Sequence, residues 1–201
     1  MPRLFTGPDA WSGGHYELAI EFRSGSLGTA HAARIALWSH PNVGPCYLRG
    51  DLEPNDQPIV DVRAQRSQDK LFATCVLGDG VPVPAVSHII PYDQGPVWFY
   101  FGFPMAGLSR AYSVGAYPFD DRSDLGWRAA VDEWLRALAV HVFARVPFDC
   151  ALIGHEPDEE TADEITRGGI PTRRWEGILW PGPDGLAWHP PTEGPPFTFD
   201  D

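Results

Sequence analysis

The chain has 201 residues, of which 43% are hydrophobic and 21% charged, values of an ordinary globular protein that exclude wholesale disorder. Its formal charge of −12, from 27 acidic against 15 basic residues, repels phosphate backbones; nucleic acid is disfavoured as a partner, and a basic protein or cationic ligand is favoured. No apolar run reaches the ~18 residues of a membrane span and no signal-peptide pattern opens the chain, so a cytoplasmic protein without membrane contact is expected.

In chain order, the first 14 residues carry turn chemistry and two aromatic anchors, Phe5 and Trp11. From His15 to Phe22, alternation predicts a half-buried strand with Tyr16, Leu18, Ile20 and Phe22 inward and His15, Glu17, Ala19 and Glu21 outward. A short helix capped by Thr29 and stopped by Pro41 follows. Residues 42–58 are mostly loop, with one short strand near Cys46 to Arg49. Four β-rich segments come next, at 59–65, 70–77, 81–91 and 96–103, and their short connections predict an antiparallel meander. In the last of them Val97, Phe99, Phe101 and Phe103 share one face while Trp98 and Tyr100 share the other, the pattern of a central strand covered on both sides.

The long amphipathic helix, at about 124–146, is the strongest signal. At 100° per residue, Trp127, Ala130, Val131, Trp134, Leu135, Ala137, Leu138, His141 and Val142 fall on one side and Arg128, Asp132 and Arg136 on the other, with Ser123 or Asp124 as cap and Pro147 as stop. Cys150 to Gly154 reads as a buried strand, and the segment from Pro157 to Gly168 as a second short helix, with Pro157 at its first position. Two Trp-bearing strands around Pro181-Gly-Pro-Asp-Gly185 form a C-terminal hairpin, and the tail from about 190 is expected to be loosely held. The fold class is therefore α+β: one domain over 1–201, a mainly antiparallel sheet, one long helix, two short helices and a terminal hairpin.

Several constellations carry candidate chemistry. Three cysteines, Cys46, Cys75 and Cys150, odd in number and without CxxC spacing, read as buried thiols in a reducing compartment. His141, an imidazole on the apolar helix face, is a candidate base or ligand beside the plain reading of a hydrogen-bonded core histidine. His155 and Glu156 follow a strand and open a helix; they are candidates for a catalytic or metal-binding loop, against a solvated helix cap. His15, Glu17 and Glu21 read as a polar outer face. Gly107-Leu-Ser109 departs from the nucleophile elbow because no helix follows it, and Gly25-x-x-Gly28 lacks the residues of a phosphate loop. Among the many aromatics, Trp98, Tyr100, Tyr112 and Tyr117 are candidates for a partner-binding surface. No cofactor and no metal is expected.

The opening Phe5-Thr6-Gly7-Pro8-x-x-Trp11-x-Gly13-Gly14-x-Tyr16-Glu17-Leu18, and the closing Arg174-Trp175-x-Gly177 through Leu186-x-Trp188, resemble the two ends of a group of small uncharacterised bacterial proteins. In general character, a compact acidic α+β chain without catalytic motifs is similar to the immunity proteins of bacterial toxin systems. The expectation is thus a non-enzymatic protein-binding module, an immunity-type inhibitor being one form of it. The alternative is a small-molecule or metal-dependent enzyme with a pocket near His141, His155 and Glu156, and homo-oligomerisation is open.

Overall fold

The computed structural model describes residues 3–78, 80–93, 95–114, 126–183 and 185–192. Among the described residues, eight strands form one sheet, β1 (His15–Phe22), β2 (Val43–Tyr47), β3 (Leu71–Leu77), β4 (Val81–Pro91), β5 (Val97–Pro104), β6 (Cys150–His155), β7 (Gly177–Gly182) and β8 (Gly185–His189), with four helices, α1 (Leu27–Trp38), α2 (Met105–Leu108), α3 (Arg128–Phe143) and α4 (Glu159–Gly168). The strand order is β2-β3-β4-β5-β1-β6-β7-β8, and every neighbouring pair is antiparallel. The α+β class, the meander over β3 to β5 and the hairpin of β7 and β8 are as expected. No helix among the described residues is long and apolar enough to cross a membrane.

One face of the sheet carries Leu18, Ile20, Phe99, Phe101, Phe103 and Ile153, all buried, and α1 and α3 pack on it. Four fully buried side chains of α3, Val131, Leu135, Leu138 and Val142, each contribute roughly 1.5–3 kcal/mol by leaving water. The opposite face is also covered. Ala162 and Ile165 of α4 pack on Ala19, Trp98, Tyr100, Leu152 and Ile178, and the N-terminal segment lies over the β2–β3 side, where Phe5 and Trp11 meet Tyr47 and Phe72 edge-on. Glu53 pins that segment by accepting from the backbone N–H of Leu4, Phe5 and Thr6 and from the Thr6 hydroxyl. Trp98 and Tyr100 are therefore interior floor and not a partner surface.

Several local expectations are corrected. The cap of α1 is Ser26, with Thr29 answering it three residues on in a capping box, because the reciprocal pair satisfies two N–H groups where a lone Thr29 satisfies one. Residues 59–65 form no strand: Val62 to Ala64 make a 3-10 turn behind an Asp61 cap. The first turn of α4 is capped by Asp158, one residue past Pro157. The proposed caps Ser123 and Asp124, the candidate Tyr117 and the tail from 193 lie outside the described residues.

The largest correction concerns α3, whose buried stripe is Arg128, Val131, Asp132, Leu135, Leu138, Ala139 and Val142, while Ala130 and Ala137 face solvent. Arg128 and Asp132, read as the outer face, point inward because they satisfy each other. Their ion pair is 3.7 Å long; Arg128 Nε donates to the Tyr16 hydroxyl at 2.6 Å and the hydroxyl donates to Asp132 Oδ1 at 2.5 Å. Arg128 also donates to the Trp175 carbonyl and lies 4.0 Å over the Trp175 ring. A buried charge is tolerated when paired and hydrogen-bonded in this way.

Both end motifs take part in this framework. Gly14 has φ 71°, and a Cβ there would stand 2.7 Å from His155 Nε2, so the turn into β1 demands glycine. A Cβ on Gly177 would stand 2.0 Å from the Trp188 ring.

Candidate functional site

The sheet face shared by the N-terminal segment and α4 carries a cluster of ionisable groups between those two covers. Register places them. Glu17 of β1 sits between Gly102 of β5 and Gly154 of β6, so no side chain flanks it on either side. One row further, His88 of β4 pairs with Tyr100, whose ring it stacks on at 4.7 Å and 11°. Lys70 precedes β3, beyond the Leu71–Ser87 pair. In the row on the other side of Glu17, His15 begins β1, about 7 Å from Glu17 along the strand. His155 and Glu156 form the rim there: His155 Nε2 meets the Gly13 carbonyl at 3.1 Å, and the Glu156 N–H donates to the His15 carbonyl at 2.9 Å. Glu159, in the first turn of α4, accepts from the Tyr100 hydroxyl.

Burial sets the protonation states. Glu17 is 7% exposed and receives no hydrogen bond from any described residue; burial, reinforced by the charge of Glu156, pushes its carboxyl up to about 8, so it is an uncharged acid at neutral pH. His88 is driven down to about 4 by burial, with Lys70 adding to the effect, and its Nδ1 has no partner. Burial and Lys70 also lower His15. Tyr100 is raised by burial and by its bond to Glu159, and Tyr92 is raised to about 12 by a bond to the same carboxylate. The result is a neutral acid and two neutral imidazoles under Lys70, Glu156 and Glu159. Buried polar groups without partners are uncommon and call for a ligand or a strained role. Glu156 is the one non-glycine with positive φ, 45°, among the described residues, and such strain gathers at functional sites.

The stability of the chain is expected to report this site. Glu17 titrates near 4.5 when unfolded and about 8 when folded, so folding takes up a proton in that window. Its contribution is complete below the lower value and is lost as pH rises through the upper one, on the order of 5 kcal/mol at ~1.4 kcal/mol per unit. Between pH ~6.5 and ~8, above the range of His88 and of Asp132, which burial raises to about 6, Glu17→Gln removes a decline in denaturation midpoint that the native chain shows. Parallel curves for the two proteins would contradict the assignment.

The sequence candidates divide. His155 and Glu156 belong to the rim of this cluster, and Tyr100 to its floor. His141 stands apart: its Nε2 lies 3.0 Å from Ser39 Oγ and 3.2 Å from the Ala36 carbonyl at the end of α1, and its ring packs on His40. It is a half-buried bridge between α1 and α3 at the opposite end of the sheet from His155, so no single pocket gathers the three residues. Trp98 is buried under α4, and Tyr112 is half-buried against the core of α1 and α3. Ser109 Oγ turns back to the Met105 carbonyl. Cys46, Cys75 and Cys150 are buried and unpaired, and burial raises Cys46 to about 11 and Cys75 to about 12. Among the described residues, no group of three His, Cys, Asp or Glu is placed to hold a metal ion.

The alternation of β1 gives His15 and Glu17 the reading of a polar outer face, and only sheet register brings His88 and Lys70 to the same side. The signal that could have found them is α4, an amphipathic helix that needs a sheet face to bury Ala162 and Ile165. Comparison with protein-family models, with curated proteins and with solved structures found no match for this chain.

Proposed function

We propose that the protein is a non-enzymatic binding module that takes a basic protein partner on the α4 side of the sheet, an immunity-type inhibitor being the form in which that partner is a bacterial toxin. The observation that carries this reading is Glu17, an unpartnered buried acid under a carboxylate rim. A lysine or arginine of the partner brought to that rim ionises Glu17 and gains a charge-assisted hydrogen bond, which no group of the chain supplies. The surrounding surface has the matching sign: Asp158, Glu160, Asp163 and Glu164 are exposed along α4, in a chain of net charge −12.

The test is capture from the source cells at about 50 mM salt, followed by reconstitution with the purified partner. Association is expected to slow at least tenfold between about 50 and 500 mM salt. Binding near neutral pH is expected to release a proton, read calorimetrically in buffers of different ionisation enthalpy, and Glu17→Gln is expected to abolish that release and weaken binding about tenfold. A partner that binds Glu17→Gln equally well and without salt dependence would sink the reading.

One observation favours an enzyme instead. Glu17 and His15 present a neutral acid and a neutral base two residues apart on one strand, a pairing suited to moving protons on a small substrate. That form predicts turnover lost in both Glu17→Gln and His15→Ala.

A further inference from the structure

A second feature lies away from Glu17, where the N-terminal segment meets the β2–β3–β4 side of the sheet. Two adjoining cavities open there, of about 560 Å³ and about 380 Å³, and Arg3, Leu4 and Arg110 line both. Arg110 Nη1 donates to the Arg3 carbonyl at 3.2 Å, so the two arginine residues form one wall between them. Neither has a carboxylate partner among the described residues. Three acids line the two cavities as well: Glu53, taken up by three backbone N–H groups and the Thr6 hydroxyl, Asp56 in the larger and Asp9 in the smaller.

The rest of the larger cavity has the opposite character. Pro45, Tyr47, Pro54 and Pro82 give it apolar walls. Its volume falls within the ~300–1,000 Å³ of small-molecule sites, where apolar walls hold the body of a ligand and a few polar groups fix its orientation. Guanidinium forks match carboxylate and phosphate oxygens geometrically.

We propose that this cavity is a binding site for a small organic anion, with an aromatic or aliphatic body against the proline and tyrosine walls and its carboxylate or phosphate between Arg3 and Arg110. The site is independent of Glu17 and of the partner assigned to it.

The test is fluorescence titration of the full chain with 1-naphthyl phosphate, 1-naphthoate and the uncharged 1-naphthamide. Both anions are expected to bind one to one, at least tenfold more tightly than the amide. Arg110→Ala and Arg3→Ala are each expected to weaken them about tenfold. Glu17→Gln is expected to leave all three titrations unchanged. The tighter of the two anions identifies the natural head group as phosphate or carboxylate. Arg3 and Arg110 are both exposed, so unchanged melting temperatures will show that the variants fold. Equal binding of the amide, no binding of either anion, or anion binding unaffected by Arg110→Ala would overturn the proposal.

Discussion

Asp132→Ala is expected to destabilise the chain by about 3–5 kcal/mol, because it strands the Arg128 guanidinium, 5% exposed, without its counter-charge. The Tyr16 hydroxyl loses its acceptor in the same step. A double variant, Arg128→Met with Asp132→Leu, removes both charges together and fills similar volume; it is expected to recover most of the loss, since a buried pair stabilises little relative to apolar side chains of the same size. Urea denaturation of the three proteins decides. A single variant costing under ~1 kcal/mol would show that Arg128 finds other partners or reaches water.

Gly102→Ala is the second large effect. Its Cβ would stand 2.3 Å from the Glu17 Cβ, 2.8 Å from the Glu17 Cα and 2.8 Å from the Tyr16 carbonyl oxygen. Two of those atoms are backbone of the central strand, so no rotamer relieves the clash and β1 and β5 must part along their shared ladder. The expected cost is about 3 kcal/mol or more, at the upper end of overpacking. Gly168→Ala, where the added methyl meets nothing within 4 Å, is the matched control and is expected to be neutral or slightly stabilising. Equal midpoints for the two variants would contradict the close approach of β1 and β5.

Much of this architecture is legible in the residues. The double-faced run from Val97 to Phe103 announces a strand covered on both sides, and all eight residues of β5 are buried. Pro181-Gly-Pro-Asp-Gly185 announces the hairpin that closes at Gly182 and Gly185. What a single strand or helix cannot announce is its covering. Arg128 and Asp132 look like solvent residues until Tyr16, 112 and 116 positions away in sequence, supplies the hydroxyl that lets both enter the core. Glu17 and Glu21 look like an outer face until α4 and the N-terminal segment close over that side. His88, within a run of apolar residues, gives no periodic signal of its own, and only register sets it beside Tyr100. His141 has the period of the core, and its ring stops at the edge of α1, where Ser39 and the Ala36 carbonyl meet it.

The position of β1 bears on how the chain is made. Its neighbours in the sheet are β5 and β6, so this early strand waits for partners that begin at Val97 and Cys150. Phe22 and Cys150 lie 128 residues apart (150 − 22), about 6–26 s of synthesis at ~5–20 residues per second. Until β5 emerges, a strand that is apolar on one side and carries Glu17 on the other has no partner, and for the rest of that interval its β6 edge stays open. Nascent chains stalled before β5 is complete should therefore depend on holding chaperones, and the sheet closes across β1 only once β6 has been made, in a step dominated by contacts distant in sequence.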